Sequence, residues 1–212
     1  MKIVLIGDPH LDFETCKNSK HTTLVLGDMV VECEADLSII PKNIRFFHGN
    51  HDNPCICPYS PQYLGKFGFF EDKIFFASGA ASVDKNERII VGLPYFSDEE
   101  MSYTEMVKCA ELYEKIKPEI VATHEAPWLL VEILRAAAIT RSPRRASFGK
   151  PPMSRTQNLL DHMYRLHQPK LWVFGHWHLH LEYTHEKTRF VCLDRTQPYL
   201  VETDDYYPSS KS

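Results

Sequence analysis

The chain has 212 residues, enough for one good-sized domain, and its 43% hydrophobic and 25% charged content is that of an ordinary globular protein. Disorder, a collagen-like repeat and a coiled-coil rod are thereby excluded, and no apolar run approaches the roughly 18 residues that a membrane helix needs. Lys plus Arg number 24 against 28 Asp plus Glu, a net charge of −4, so the surface as a whole is not one built to bind polyanions.

The opening MKIVLI has one Lys and a short apolar stretch. It is too short for the core of a secretion signal and predicts a first strand over 2–6. Without such a signal the six cysteines are expected to be reduced thiols, and the cytoplasm is the expected compartment. Further strands are expected at 22–26, 44–47, 73–77 and 88–92, each short, rich in β-branched or aromatic residues and closed by a turn signal. Ser97-Asp98-Glu99-Glu100 has the form of a capping box. It would open a helix whose apolar stripe is Tyr103, Met106, Val107, Ala110 and Tyr113, with Pro118 as the stop.

A strand at 119–123 and a helix over 128–138 come next. Residues 139–153, ITRSPRRASFGKPPM, carry neither period and are expected to form a basic loop insert. A second capping box, Ser154 with Gln157, precedes Leu159, Leu160, Met163 and Leu166, and Pro169 ends that helix. Strands at 170–174, 188–193 and 199–201 complete the pattern, and 204–212 is a polar tail. Strands alternating with helices predict one α/β layered domain over 1–203.

Five of the apolar runs end directly in residues that bind metals or move protons. They lead into Gly7-Asp8-Pro9-His10, Gly27-Asp28, His48-Gly49-Asn50-His51-Asp52, Thr123-His124-Glu125 and Gly175-His176-Trp177-His178. In an α/β sheet, ligands bind beyond the carboxyl ends of the strands, so five separated segments can aim side chains into one crevice. The resulting inventory of carboxylates, an amide and imidazoles contains no thiolate and exceeds the needs of one tetrahedral zinc. It suits borderline divalent ions such as Mn²⁺, Fe²⁺ or Zn²⁺. Seven ligands with one shared carboxylate divide over two ions, and a pair about 3.5–4 Å apart is a known clamp for displacement at phosphorus.

In order and approximate spacing, Asp8-x-His10, Gly27-Asp28, Gly49-Asn50-His51-Asp52, His124 and Gly175-His176-x-His178 resemble the calcineurin-like metallophosphoesterase family, over roughly residues 1–195. The resemblance implies a four-layer α/β/β/α sandwich of two mixed β-sheets flanked by helices. It implies one metal on Asp8, His10, Asp28 and His178 and a second on Asp28, Asn50, His124 and His176. Manganese is the first choice, with iron, zinc or nickel as alternatives. His51 is the implied general acid, with Asp52 holding its ring and favouring the charged form. Asn50, Arg144 and Arg145 are the candidates for contact with substrate.

The implied reaction is hydrolysis of a phosphodiester or phosphomonoester by in-line attack of a hydroxide bridging the two metals. The chain departs from the family pattern at Leu11, where a glycine usually follows the first His, and after Asp28, where protein phosphatases continue to Asp-Arg-Gly. The missing arginine makes a phosphorylated small molecule or nucleotide the expected substrate ahead of a serine/threonine phosphoprotein. Nucleic acid is less favoured, and no membrane partner is expected. A catalytically silent binding module on the same fold is the non-enzymatic alternative. Asp12, Glu32, His48, Glu125 and His180, beside the motifs, are candidates for orienting ligands from behind.

Overall fold

The computed structural model describes residues 1–17, 19–144 and 153–207. Two mixed sheets lie at its centre. The smaller has the order β10-β1-β2-β3, with β1 (Lys2–Ile6), β2 (Thr22–Val25) and β3 (Ile44–Phe46) parallel and β10 (Pro198–Glu202) antiparallel beside β1. The larger has the order β4-β5-β6-β7-β9-β8. There β5 (Ile74–Ala77), β6 (Ile120–Thr123), β7 (Leu171–Phe174) and β9 (Thr188–Cys192) are parallel, while β4 (Phe67–Phe70) and β8 (Leu181–His185) are antiparallel edges.

The central strands are apolar at nearly every position because both of their faces are covered. Ile3, Leu5, Leu24 and Leu26 of the smaller sheet meet Ile74, Phe76, Ile120, Ala122, Leu171 and Val173 of the larger in one core layer. The outer face of the larger sheet packs Phe75, Val121, Trp172, Phe174 and Phe190 under α3 (Tyr103–Ile116), α4 (Val131–Arg141) and α5 (Arg155–Leu166). The outer face of the smaller sheet is covered differently. Val25, Ile44 and Phe46 pack there against Phe13, Cys16, Met29, Val31, Ile40 and Cys57. These come from the one-turn helix α1 (Glu14–Lys17), two short 3₁₀ turns and loops. The result is the expected α/β sandwich of two mixed sheets, with α3, α4 and α5 on the flank of the larger.

Helix boundaries follow local chemistry. Ser154 and Gln157 cap α5 reciprocally, as the sequence indicates, a contribution of about 1 kcal/mol. The cap of α3 is Ser102 with Glu105 and not Ser97 with Glu100. Both serines satisfy the spacing, but Glu99 and Glu100 are engaged elsewhere, on Ser82 and on the Thr156 amide. The segment 88–92, expected as a strand, instead forms the end of helix α2 (Lys85–Val91) and its cap. Gly92, at φ +74°, closes it with its N–H on the carbonyls of Arg88 and Ile89. Strands β4 and β8 have no counterpart among the expected elements: Gly68 interrupts the first, and the second is mostly exposed. Among the described residues no helix is long and apolar enough to cross a membrane.

Candidate metal centre

The five loops meet at the carboxyl ends of β1, β2, β3, β6 and β7. Asp8, Asp28 and His124 are buried, while His10, His51, His176 and His178 are partly exposed at the mouth. Ligand atoms of Asp8, His10, Asp28 and His178 all lie within 4.8 Å of one another, and Nε2 of His10 faces Nε2 of His178 at 3.2 Å. The other oxygen of Asp28 serves a second group. Nε2 of His124 is 3.3 Å from Asp28 Oδ1 and 3.1 Å from Asn50 Oδ1, and the rings of His124 and His176 stand 5.0 Å apart.

The backbone is bent to achieve this. Asp8, His10, Asp28, His176 and His178 have φ of +37°, +44°, +53°, +66° and +48°. A side-chain-bearing residue in this left-handed region costs about 1–3 kcal/mol and persists where the surroundings hold it. Bonds from other loops hold it here. The His10 amide donates to the Asp28 carbonyl at 3.0 Å, and the His176 amide donates to both Asp8 oxygens at 3.0 and 2.9 Å. The His51 amide donates to Asp28 Oδ1 at 3.0 Å. Two glycines are required by close approach. A Cβ at Gly175 would sit 2.5 Å from Asp8 Oδ2, and one at Gly49 would collide with Asp28 Oδ1. Leu11 also sits in left-handed backbone, at φ +69°.

The donors fit a divalent cation. Asp28 Oδ2 is buried with no hydrogen-bond partner, 3.6 Å from His10 Nε2 and 4.0 Å from His51 Nε2. Such an atom carries an uncompensated desolvation cost, which a cation coordinated by the neighbouring imidazoles removes. Burial holds His10 and His178 down at about 4 and His176 at about 3, so their lone pairs are free at neutral pH. At His124 burial opposes the charged ring, but Asp28 and Asp8 outweigh it and raise the pKa to about 10. Asp28 is held well below the usual carboxylate range, its burial outweighed by His124. Burial pushes Asp8 up to about 8.

Several of the candidate ligands are oriented from behind, as is usual at metal sites. Nδ1 of His124 contacts the Leu26 carbonyl at 2.6 Å, leaving Nε2 toward Asp28 and Asn50. The Asn50 amide nitrogen donates to Ser82 Oγ at 3.1 Å, and Ser82 in turn donates to Glu99 at 2.6 Å. Glu125 lies 3.6 Å from His176 Nε2 and accepts from Trp177 Nε1 at 2.8 Å. His48 is turned away, its Nδ1 on the Tyr63 hydroxyl at 2.7 Å.

Asp52 departs from expectation. Its carboxylate accepts from the backbone amides of Gly49 at 2.8 Å and Val31 at 3.1 Å. Two buried amides that need acceptors claim it, so it braces the loops and does not hold the His51 ring. The group at Nδ1 of His51 is Arg88, 2.8 Å away. Of the basic insert, Arg144 is exposed and Arg145 lies outside the described residues. The first three residues of that segment, expected as loop, instead end helix α4, and Arg141 among them reaches the site, donating to the His178 carbonyl at 2.9 Å and to Asp194 at 2.6 Å. Arg88, Ser82 and Glu99 are the residues that motif spacing does not reveal. They act across 17 to 37 positions of chain.

No protein-family model and no curated protein matches the chain. Among solved structures it is similar to the phosphopantetheinyl hydrolase of Mycobacterium tuberculosis, at 12% identity over 100% of this chain and 97% of that one, with a TM-score of 0.48. It is also similar to an uncharacterized protein of Streptococcus pneumoniae described as a predicted phosphoesterase, at 12% identity over 92% and 72% of the two chains, with a TM-score of 0.38.

Proposed function

We propose that this protein is a phosphoesterase working with two divalent cations and acting on a phosphorylated small molecule or nucleotide. The observation that carries the reading is the placement of Asp28 between two donor groups. One oxygen faces His124, whose Nε2 also contacts Asn50, and the other is buried, without a hydrogen-bond partner, beside His10. Asp8, His10, Asp28 and His178 would hold one ion, and Asp28, Asn50, His124 and His176 the other. Bound there, such ions supply Lewis acidity and a nucleophile at neutral pH.

The chain's own residues do the rest. The positive-φ loops fix the ligand directions before any ion arrives, so little reorganisation accompanies binding. Ser82 and Glu99 keep the oxygen of the Asn50 amide turned into the site. His51, part-exposed at the mouth and 4.0 Å from Asp28 Oδ2, is the side chain placed to touch a phosphoryl oxygen. A phosphoprotein substrate is disfavoured because Met29-Val30-Val31 follow Asp28 where protein phosphatases carry their arginine.

The test is a screen of mono-, di- and cyclic phosphate esters, with bis-(p-nitrophenyl) phosphate as the generic probe, on protein loaded with manganese, zinc or iron and analysed for metal. Hydrolysis with about two ions per chain, lost on chelation, is the expected result. Two bound ions with no hydrolysis of any ester would favour the silent binding module. Absence of bound metal would overturn the reading.

A further inference from the structure

Helix α2 has one buried side chain, Arg88, which is 8% exposed. Its other apolar residues face away: Ile89, Ile90 and Val91 are exposed. A helix that buries an arginine and exposes three aliphatic residues is not held by an apolar face of its own, so the burial of Arg88 needs another explanation. Its guanidinium is tied down on both sides. Nε donates to the Pro94 carbonyl at 2.7 Å, and Nη1 lies 2.8 Å from His51 Nδ1 and 3.8 Å from Asp84 Oδ2. The turn that follows is fixed as well, since the Leu93 amide bonds the Arg88 carbonyl at 2.9 Å.

A guanidinium has donors and no acceptor. In this contact Nδ1 of His51 therefore accepts, and the hydrogen of the ring sits on Nε2, the nitrogen that faces Asp28. We infer that Arg88 is a positioning residue that locks His51 in the Nε2–H tautomer, so that the ring offers one hydrogen bond to a phosphoryl oxygen and keeps its hydrogen throughout. What that hydrogen touches rests on the phosphoesterase reading above; the tautomer itself does not.

The chemistry balances without a proton from His51. The bond from phosphorus to the leaving oxygen breaks, a bond from phosphorus to a water oxygen forms, and the hydrogen released from that water reaches the leaving group through solvent. Were Nε2–H given up while Arg88 holds Nδ1, an imidazolate would remain. This replaces the acid role implied by the resemblance, in which a carboxylate on Nδ1 would favour a second ring hydrogen.

The experiment combines ¹⁵N spectroscopy of the histidine rings, on metal-free and zinc-loaded full-length protein, with kinetics of Arg88→Met, Arg88→Lys and His51→Gln. In the wild type, His51 should show a hydrogen-bearing Nε2 and a bare Nδ1. Arg88→Met should mix the tautomers and lower kcat roughly 10- to 100-fold with KM changed less than about threefold. Arg88→Lys, which keeps a donor, should restore much of both. His51→Gln should cost alkyl and p-nitrophenyl esters the same within about threefold. A hydrogen on Nδ1 in the wild type overturns the inference, as does an unchanged His51 spectrum in Arg88→Met, or a His51→Gln loss more than about tenfold larger on the alkyl ester. Absence of turnover in every metal form would defeat the phosphoesterase reading alone, because the ring spectra still decide the tautomer.

Discussion

The two donor groups around Asp28 are built differently. Asn50, His124 and His176 each have a neighbour behind them, in Ser82, the Leu26 carbonyl and Glu125. His10 and His178 point at each other across 3.2 Å, and among the described residues neither ring makes another hydrogen bond. The first group is anchored in the fold, whereas the second is a pair of imidazoles that face each other near Asp28. One half is braced by the protein, and under the proposed function the other would be completed by its ion.

That contrast can be broken in several places. Asp28→Asn strikes both halves and should have the largest effect, about a thousandfold or more in turnover, with metal content falling alongside; retention of both ions, by elemental analysis, would contradict a shared carboxylate. Next, the halves should separate in stability. In metal-free protein His124→Ala leaves Asp28 buried without its charged partner and should cost about 3 kcal/mol, whereas His178→Ala should stay within about 1 kcal/mol. Urea melts that gave equal losses would erase the distinction.

Glu99→Gln, acting only through Ser82 and Asn50, should weaken one of the two cation affinities roughly 10- to 100-fold and leave the other in place. Calorimetric titration would show which. The smallest effect is on pH. His124, raised to about 10, and Asp8, raised to about 8, hold protons at pH 7 that a cation must displace. Cation affinity should therefore rise with pH up to those values, with at least one proton released per chain on loading at pH 7. Loading enthalpies independent of buffer ionisation heat would show that none is released.

The cluster of candidate ligands was legible in the sequence because each member sits directly after a run of strand-forming residues, so motif and element are read from the same few positions. What supports them was not. Ser82, Arg88 and Glu99 occupy no fixed spacing from the ligands, and their roles exist only once β5, α2 and the following turn are folded against the loop after β3. The segment around Arg88 shows why composition misleads: Arg-Ile-Ile-Val has strand preferences, yet Gly92 stops a helix there. Asp52 shows the converse, a residue placed correctly in a motif but claimed by backbone amides that the sequence does not reveal. Likewise Ser97 and Ser102 present equivalent caps, and only the commitments of Glu99 and Glu100 decide between them.

Five of the candidate ligands sit in left-handed backbone, and this would tie any coordination to the integrity of the whole sandwich. A short peptide carrying any one motif would relax to ordinary dihedrals and lose its aim. Warming that loosens the strand ends should likewise release ions before helices or sheets melt. Grip on a cation is thus the most sensitive gauge of how tightly the two sheets are clasped.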